Sequence, residues 1–335
     1  MKKTMDKREM FRRYGMLAVL VVLIVIFSFG SKYFLTGDNI INVLRQVAVC
    51  GISAVGLTFI MLTGGIDLSI GTVIGMTGVM TAIAMVEWQI PMLLAVLIGL
   101  VTGLLIGLIN GLLVTYVNIP ALIATLGTMT SVRGLCFIVT GGLPVYNFPE
   151  SFDVFGKGYI SVIPVPVIIM VIILVIGWYV LNKTKYGRYL YAIGGNAEAA
   201  RLSGINVKKN KVMTYVIAGL LSAVAGIVEL SRLSSGQPNT GNGFEMTVIT
   251  AVVLGGISVN GGEGKFFGVV VGVFVMGVLT NGMVMMNIYE YYQQLIKGIV
   301  LLVAVGFDQL SKVNKVKKMN ISNTKIPPSD AEASA

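Results

Sequence analysis

Apolar runs of roughly 20 residues recur along this chain, and they restrict its possible folds more than any other feature. A run of that length is what an α-helix needs to cross the hydrocarbon of a bilayer. Hydrophobic residues make up 55% of the 335 residues and charged residues only 12%, about half the charged fraction of a soluble domain. The sequence therefore predicts an all-α polytopic membrane protein.

We predict about ten membrane-spanning helices with glycine-rich packing, some of them broken. They form a single transmembrane domain over residues 14–308, which contains a cytoplasmic loop at 182–211. Residues 1–13 form a basic N-terminus, and the polar residues 309–335 are predicted to be a disordered tail. The predicted spans are 14–34, 43–62, 66–86, 92–117, 121–140, 161–181, 212–233, 246–259, 264–286 and 293–308.

Lysine and arginine are concentrated in three segments, and these orient the chain. Of the 25 such residues, 6 lie in 2–13, 7 in 183–211 and 5 in 312–325. Cytoplasmic segments carry such an excess, and an even number of predicted spans separates each pair of segments. We therefore expect both termini in the cytoplasm and the protein in the cell membrane. Because the charge follows this pattern, it does not indicate nucleic-acid binding.

The sequence does not contain the residues that hydrolytic or metal chemistry requires. It has no His, the commonest metal ligand and proton shuttle. Cys50 and Cys136 both lie in apolar spans, which argues against a disulfide framework or metal site. Residues 261–266 resemble a phosphate loop but lack its first glycine and its Ser or Thr. We expect no catalytic residue, no metal and no bound cofactor.

Two glycine pairs, at 64–65 and 255–256, interrupt predicted spans and leave almost no loop. Broken helices are tolerated in membranes where they line a cavity or are buried in protein. We therefore expect both breaks to line or flank a path, together with asparagine amides that suit a polyhydroxyl solute. The candidate path residues are Gly65, Asp67, Ser69, Asn110, Gly255, Gly256, Ser258 and Asn281.

Structural roles compete with the path for these polar residues. Asp67 is equally placed to cap the following helix, and asparagines commonly join neighbouring helices. Glu229 and Arg232 stand three residues apart, which predicts an ion pair on one helix face. Arg133 is a further charge within a span and a functional candidate for that reason.

Glycines repeat every four residues along several spans, and this spacing predicts close contact between helices. Packing within one subunit is the preferred interpretation, and a subunit interface is the alternative. The stripes are Gly99, Gly103, Gly107 and Gly111; Gly264, Gly268 and Gly272; and Gly71 with Gly75.

A polar segment at 194–206 interrupts the apolar sequence beside the second basic segment. Asn196 is a good N-cap, Glu198 places negative charge in the first turn, and Gly204 suits a left-handed C-terminal position. Residues 197–203 are therefore predicted to form a two-turn helix roughly 10 Å long. From the caps alone, it is either a partner-binding element or an ordinary connector at the membrane surface.

The same segment resembles the Glu-Ala-Ala…Gly signature of permease subunits of ATP-binding-cassette importers. Glu198, Ala199, Ala200 and Gly204 match it, although the Ile and Leu-Pro that usually follow are absent. In that family the signature forms the coupling helix that contacts the ATPase. The resemblance therefore implies a coupling role for these four residues and Asn196, with ATP used by the partner. We expect the alanines to present a low surface to a groove in that partner.

A longer resemblance, to ribose-type permeases, runs from residue 39 to 305. It implies a transporter for ribose or a related monosaccharide, built from two permease copies, a tandem-cassette ATPase and an extracytoplasmic sugar-binding protein, embedded in lipid. The matching motifs are LTGGIDLS at 62–69, YGRY at 186–189, RLSGINV at 201–207, RLSSGQP at 232–238 and AVVLGG at 251–256.

Two longer connections, 141–160 and 234–245, are extracytoplasmic by the span count. We predict that they receive the binding protein, with Gln237, Asn239 and Glu245 as polar contacts. A simple turn of the chain is the alternative for the Gly- and Asn-rich stretch.

Other functions remain open at this level. A secondary transporter driven by H⁺ or Na⁺ is disfavoured because paired intramembrane carboxylates are missing. A membrane scaffold has no need of the polar segment or the helix breaks. Within the resembled family, other pentoses, hexoses, nucleosides or a furanosyl signal molecule are alternative substrates.

Overall fold

The computed structural model describes residues 7–323, with side chains described at 15–306 and 309. Most of this part is helical, which confirms the all-α class. A 3₁₀ helix at Glu150–Phe155 and two short antiparallel strands, β1 (Tyr159–Ile160) and β2 (Ile163–Pro164), lie between α5 and α6. The helices are α1 Lys7–Gly30, α2 Gly37–Leu62, α3 Ile70–Val86, α4 Met92–Thr115, α5 Ala121–Thr140, α6 Val165–Lys183, α7 Lys185–Gly195, α8 Ala197–Leu202, α9 Val207–Leu233, α10 Phe244–Leu254, α11 Phe266–Met285 and α12 Glu290–Asn323.

Six helices of the described part are long and apolar enough to cross a membrane, namely α2, α4, α5, α6, α9 and α11. Shorter apolar helices are Gly15–Gly30 of α1, α3 and α10. Each predicted span overlaps one of these nine helices or α12. The number of crossings therefore stays a prediction, whereas the positions of the helices are confirmed.

The centre of the bundle is built from α2, α3, α9 and α10. The second half of α2 and nearly all of α3 are buried, as expected of helices that are apolar all round. In contrast, α4, α5 and α6 turn rows of exposed Leu, Ile and Val outward. These outer faces are suited to lipid or to another subunit.

Three glycines of the α4 stripe pack closely against α9, whereas Gly99 packs against Thr81 of α3. A Cβ placed on Gly103 would lie 2.6 Å from Ala223 Cβ and from Gly219 O, and one on Gly111 would lie 3.0 Å from Val212 Cα. Real Cβ atoms do not approach as closely as 2.6 Å, so only glycine fits at 103, and position 111 is tight. The predicted close packing within one subunit is confirmed for this stripe.

Helix α12 continues to Asn323, so helix replaces the predicted disorder over residues 309–323. This stretch contains neither Pro nor Gly, and its Lys, Leu, Gln and Met residues favour helix. The rest of the predicted tail, 324–335, and residues 1–6 of the basic N-terminus lie outside the described residues.

Candidate functional site

The polar segment at 194–206 contains the short helix α8. Asn196 Oδ1 accepts a hydrogen bond from the backbone N–H of Ala199 at 2.9 Å, and Gly204 has a φ of +82° just beyond the helix. Both predicted caps are therefore confirmed. The helix ends at Leu202 and is one residue shorter than predicted.

Helix α8 has one face against its own chain and one face free. Ala200 is buried at 5% exposure, whereas Ala199 is exposed and Leu202 is 75% exposed. Successive helix positions point about 100° apart, so the two alanines cannot share a face. The expectation that both alanines face a partner is therefore wrong for Ala200. Leu202 lies on the free side, although the sequence did not indicate it.

Glu198 and Arg201 form an exposed ion pair on the free side of α8. Arg201 Nη2 lies 2.6 Å from Glu198 Oε1, and Arg201 Nε donates to Glu198 Oε2 at 3.0 Å. This hydrogen bonding and the adjacent positive charge lower the pKa of the Glu198 carboxyl. Because the pair is intramolecular, Glu198 brings little net charge to a partner surface.

Both predicted breaks are helix ends of the same type. At the end of α2, Gly64 N–H donates to Met61 O at 2.9 Å and Gly65 N–H to Ile60 O at 3.1 Å. This pair of hydrogen bonds requires a residue in the left-handed conformation after the helix, and Gly64 has a φ of +78°. Helix α10 closes in the same pattern around Gly256, whose φ is +84°.

The first break meets the end of α7 and the connection that follows the second break, at Gly261 and Gly262. Gly262 N–H donates to Leu62 O at 3.0 Å. A Cβ on Gly261 would lie 2.7 Å from Gly64 N, and a Cβ on Gly194 would overlap Leu62 O and Gly262 N. We call Gly64, Gly194, Gly261 and Gly262 the glycine junction. Because its contacts are between backbones, no flexible side chain is available to absorb a shift of α7.

A second contact ties α7 to the same connection. The Tyr191 hydroxyl donates to Gly264 O at 3.1 Å. Helix α8 begins two residues after α7 ends at Gly195. The polar segment and both breaks, which the sequence interpretation treated as separate features, therefore form one continuous structure.

Asp67, Ser69 and Asn110 form a buried chain of hydrogen bonds at the first break. The Ser69 N–H and hydroxyl both donate to Asp67 Oδ1, at 2.8 and 2.6 Å, and Asn110 Nδ2 donates to Ser69 Oγ at 2.8 Å. Each of the three is at most 3% exposed. Three candidate path residues are thus in contact. Among the described residues, Asp67 bonds only Ser69, the N-cap residue of α3, which has no side-chain cap hydrogen bond, so the capping alternative stays a prediction.

Two polar atoms beside this chain have no hydrogen-bond partner in the part of the protein that the structure describes. They are Asn110 Oδ1 and the Tyr215 hydroxyl. The Tyr215 hydroxyl lies against Gly65, where a Cβ would be 2.7 Å away. Buried polar atoms normally find partners, so these two are available to water or to a solute hydroxyl. No sequence pattern indicated Tyr215.

The remaining candidate path residues lie elsewhere. Asn281 exchanges two side-chain hydrogen bonds with Asn39, at 3.0 and 2.9 Å, and so joins α11 to α2. Gly255 packs against the backbone of Val269, with a Cβ distance of 2.6 Å. Ser258 is buried within the connection to α11. The alternative role of an interhelical contact is thus observed for Asn281.

The connection between α9 and α10 runs along α3. A Cβ on Gly236 would lie 2.7 Å from Ala82 Cβ, near the C-terminal end of α3, and Gly241 touches Gly71 at its N-terminal end. We call residues 236–243 the re-entrant segment. The predicted glycine stripe of α3 therefore packs against the re-entrant segment, which consists of extended chain and turns, and not against another helix.

Arg133 of α5 fastens the re-entrant segment. Its Nη1 donates to Pro238 O at 2.7 Å and to Thr240 O at 2.9 Å. Thr240 O also lies 2.6 Å from the Cβ position of Gly75. The charged side chain of Arg133, a functional candidate by sequence, is therefore hydrogen-bonded to backbone carbonyl groups.

The three predicted docking residues do not share one surface. Asn239 is exposed and Gln237 is half-buried, whereas Glu245 is only 7% exposed in the first turn of α10. Burial of Glu245 beside Gly71 leaves it unavailable to a protein partner. A docking role for Glu245 is therefore not compatible with this structure.

The connection at 141–160 is anchored on the end of α9. The Ser231 hydroxyl donates to Phe152 O at 2.7 Å and accepts from Gly156 N–H at 2.8 Å. Beside it, Arg232 and Glu229 form the predicted ion pair, with distances of 2.7 and 2.9 Å. This connection is consequently a structured cap and not a flexible linker.

Comparison with known proteins adds independent information. Residues 39–305 match the family described as branched-chain amino acid transport system / permease component. The ribose import permease protein RbsC of Haemophilus influenzae is 44% identical over 301 residues, 89% of this chain and 93% of the relative. RbsC of Bacillus subtilis is 45% identical over 300 residues, 89% of this chain and 93% of the relative. RbsC of Escherichia coli K12 is 44% identical over 296 residues, 87% and 92% of the two chains. No solved structure gives a significant match.

Proposed function

The chain belongs to the branched-chain amino acid transport system / permease component family, and we propose that it forms the membrane path of an ATP-driven importer for ribose or a similar monosaccharide. The observation that carries the proposal is the 44–45% identity to ribose import permeases over nearly their full length. The chain is a permease and not itself an enzyme. ATP is bound and hydrolysed by a separate subunit in this proposal.

The proposed assembly contains two copies of this chain, a tandem-cassette ATPase in the cytoplasm and an extracytoplasmic sugar-binding protein. Both termini and the loop 182–211 lie in the cytoplasm, and residues 14–308 form the domain in the cell membrane. The distribution of basic residues supports this orientation. The exposed apolar faces of α4, α5 and α6 offer enough surface for lipid and for a second copy.

Helix α8 is the proposed contact with the ATPase. Its free side carries Glu198 and Ala199 with Leu202, while Asn196 and Gly204 hold its two ends. An exposed leucine outside the membrane is suited to a pocket in a partner protein. Ala200 contributes by packing α8 onto its own chain.

The glycine junction is the proposed route by which movement of α8 reaches the membrane. Helix α7 leads directly into α8, and through Gly194 it contacts the end of α2 and Gly262 in the connection between α10 and α11. When the ATPase closes and displaces α8, the junction transmits the displacement to the ends of α2 and α10. Rigid contact between backbones favours such transmission because packed interiors deform little.

The breaks are proposed to flank the solute path. Near the first break, where Gly65, Asp67, Ser69 and Asn110 lie, Asn110 Oδ1 and the Tyr215 hydroxyl have no hydrogen-bond partner among the described residues. At the second break, the chain is directed toward α11 by Gly255, Gly256 and Ser258. Asn281 is proposed to act through its pairing with Asn39, by holding α11 beside α2.

Uptake into proteoliposomes tests the proposed function. The permease is reconstituted with its ATPase and binding protein, and radiolabelled ribose is supplied with competing pentoses and hexoses. We expect the uptake of labelled ribose to require ATP. Unlabelled ribose should inhibit this uptake more strongly than arabinose or allose. Uptake that follows an imposed H⁺ or Na⁺ gradient without ATP would contradict the proposal.

A further inference from the structure

The re-entrant segment lies at membrane depth without being helical. Its first residue contacts Ala82 and Gly241 contacts Gly71, about 16 Å away along α3 at 1.5 Å per residue. Helix α10, which follows, has 11 residues and is therefore about 16 Å long, only half of the roughly 30 Å of hydrocarbon. The outer half of this crossing is thus made by residues 236–243.

Polar groups of this segment are exposed on the surface of the chain. Asn239, Asn242 and Gly243 are exposed, and Gln237 is half-buried. Within the described part of the protein, none of the three amide side chains makes a hydrogen bond to another residue. Irregular backbone and free amides do not face lipid, since each unsatisfied group costs several kcal/mol there. This surface therefore faces a water-filled space.

The exposed surface of α5 is largely apolar, but part of it carries small and polar residues. Its exposed positions include Thr130 and Ser131, together with Gly127 and Gly134. A Cβ on either glycine would meet nothing within 4 Å, so no other described part of the chain covers these positions. Arg133 lies on this helix and holds the re-entrant segment next to it through the two carbonyl contacts.

The chemistry of this surface selects the class of solute. A primary amide presents both donors and an acceptor, as a hydroxyl group does, and amides therefore pair well with a polyhydroxyl compound. The two charges nearest the segment are not offered to a solute, because Glu245 is buried and Arg133 is engaged with carbonyls. A neutral sugar fits such a surface better than an ion.

We propose that the re-entrant segment forms a wall of the sugar path and that Gln237, Asn239 and Asn242 hydrogen-bond sugar hydroxyls during passage. Arg133 is a positioning residue that keeps the segment against α3 and α5. The inference rests on the proposed function and deepens it. It also replaces the predicted docking role of Gln237 and Asn239 by contact with the solute.

Thiol labelling tests whether the surface meets water. In a background with Cys50 and Cys136 replaced by Ala, Asn242→Cys is compared with Leu105→Cys, which lies on the exposed apolar face of α4. A charged methanethiosulfonate reagent is added to the reconstituted complex. We expect Asn242→Cys to react at least tenfold faster than Leu105→Cys, and saturating ribose with its binding protein to slow the reaction. Equal, slow labelling at both positions would overturn the proposal.

Uptake measurements test contact with the sugar. The variant Asn239→Ala/Asn242→Ala is expected to lower the uptake rate about tenfold, as loss of two modest hydrogen bonds implies. Stimulation of the ATPase by the loaded binding protein should persist. Gln294→Ala removes an exposed amide from α12 and serves as the control with uptake near wild type.

Two results would overturn the inference, and each differs from failure of the proposed function. If the double variant loses ATPase stimulation in parallel with uptake, the segment is a docking site for the binding protein. If its uptake is normal, the amides do not contact the sugar. In both cases the wild-type complex still imports ribose with ATP, whereas failure of the proposed function removes wild-type uptake itself.

Discussion

Two irregular segments of this protein interrupt the membrane helices, and each is held in place by a different kind of contact. The connection at 255–265 is packed by glycine against glycine, so its backbone meets backbone from α2 and α7. The re-entrant segment at 236–243 packs one side against the glycines of α3, is fastened by Arg133, and exposes amides on its other side. Both interrupt helices within the membrane domain.

The comparison shows how the surroundings of a helix break determine what it does. A break closed by backbone contacts is rigid and connects the helices on either side of it, which suits the transmission of movement. A break held by one long side chain keeps a polar face free, which suits contact with a solute. We therefore assign coupling to the glycine junction and solute contact to the re-entrant segment.

The largest effect is expected from Gly194→Ala. The added methyl overlaps Leu62 O and Gly262 N, so α7 must move away from the end of α2 and from the connection between α10 and α11. Transport should fall by more than tenfold while ATPase binding persists, because α8 itself is unchanged. Uptake and ATP hydrolysis measured in the same vesicles check this prediction.

Gly195→Ala provides a matched control for this change. A Cβ at Gly195 meets nothing within 4 Å, and the residue lies at the end of the same helix. We expect uptake within twofold of wild type. If the two alanine variants behave alike, the junction does not carry the coupling, and the contrast between the two segments is lost.

Arg133→Met is expected to have the next largest effect. Two hydrogen bonds from a charged donor to Pro238 O and Thr240 O disappear, which corresponds to roughly 2 kcal/mol or more. Uptake should drop about 10- to 30-fold, with a lower thermal unfolding temperature in detergent. Arg133→Lys, which keeps a charged donor, should recover part of both. Normal uptake by the Met variant would show that the re-entrant segment does not depend on this residue.

Leu202→Ala should weaken binding of the ATPase without changing the membrane domain. Burial of a leucine side chain in a partner is worth about 1.5–3 kcal/mol, so affinity should decrease at least tenfold in a pull-down titration. Leu143→Ala is the control, since Leu143 is 71% exposed and belongs to the connection 141–160, which we predict to be extracytoplasmic. Unchanged affinity for Leu202→Ala would exclude the free side of α8 as the contact.

The smallest effect is expected from Glu229→Gln, just before the re-entrant segment. The ion pair with Arg232 is half-buried, with side-chain exposures of 15% and 27%. Because Gln has the same size and keeps an oxygen that accepts a hydrogen bond from Arg232, we expect a loss of about 1 kcal/mol. Thermal unfolding should therefore change only slightly and uptake should stay within twofold. A loss comparable to that of Arg133→Met would mean that the end of α9, and not Arg133, positions the segment.

Local features of this fold were predictable from sequence because they depend on neighbouring residues. Asn196 and Gly204 cap α8 as expected, since capping is decided within one turn of helix. The glycines at both breaks likewise predicted where these helices end. The ion pair of Glu229 and Arg232 followed from their spacing alone.

Contacts between distant segments were not predictable in the same way. Nothing in the spacing of Gly71 and Gly75 distinguishes a facing helix from the extended chain that packs there. Burial of Ala200 depends on how α8 is set against its own chain. The partnership of Gly194 with Gly262 joins residues far apart in sequence, and glycine carries no side chain to indicate a partner.

The most direct test of coupling through the junction is the reactivity of Ser258→Cys. Ser258 is 2% exposed at the second break, and the substitution is made with Cys50 and Cys136 replaced by Ala. The rate of modification by a small charged thiol reagent is measured with and without ATP trapped on the partner. We predict a change of at least fivefold on trapping, and no change when Gly194→Ala is also present. An identical rate in both nucleotide states, with Gly194 intact, would contradict the account.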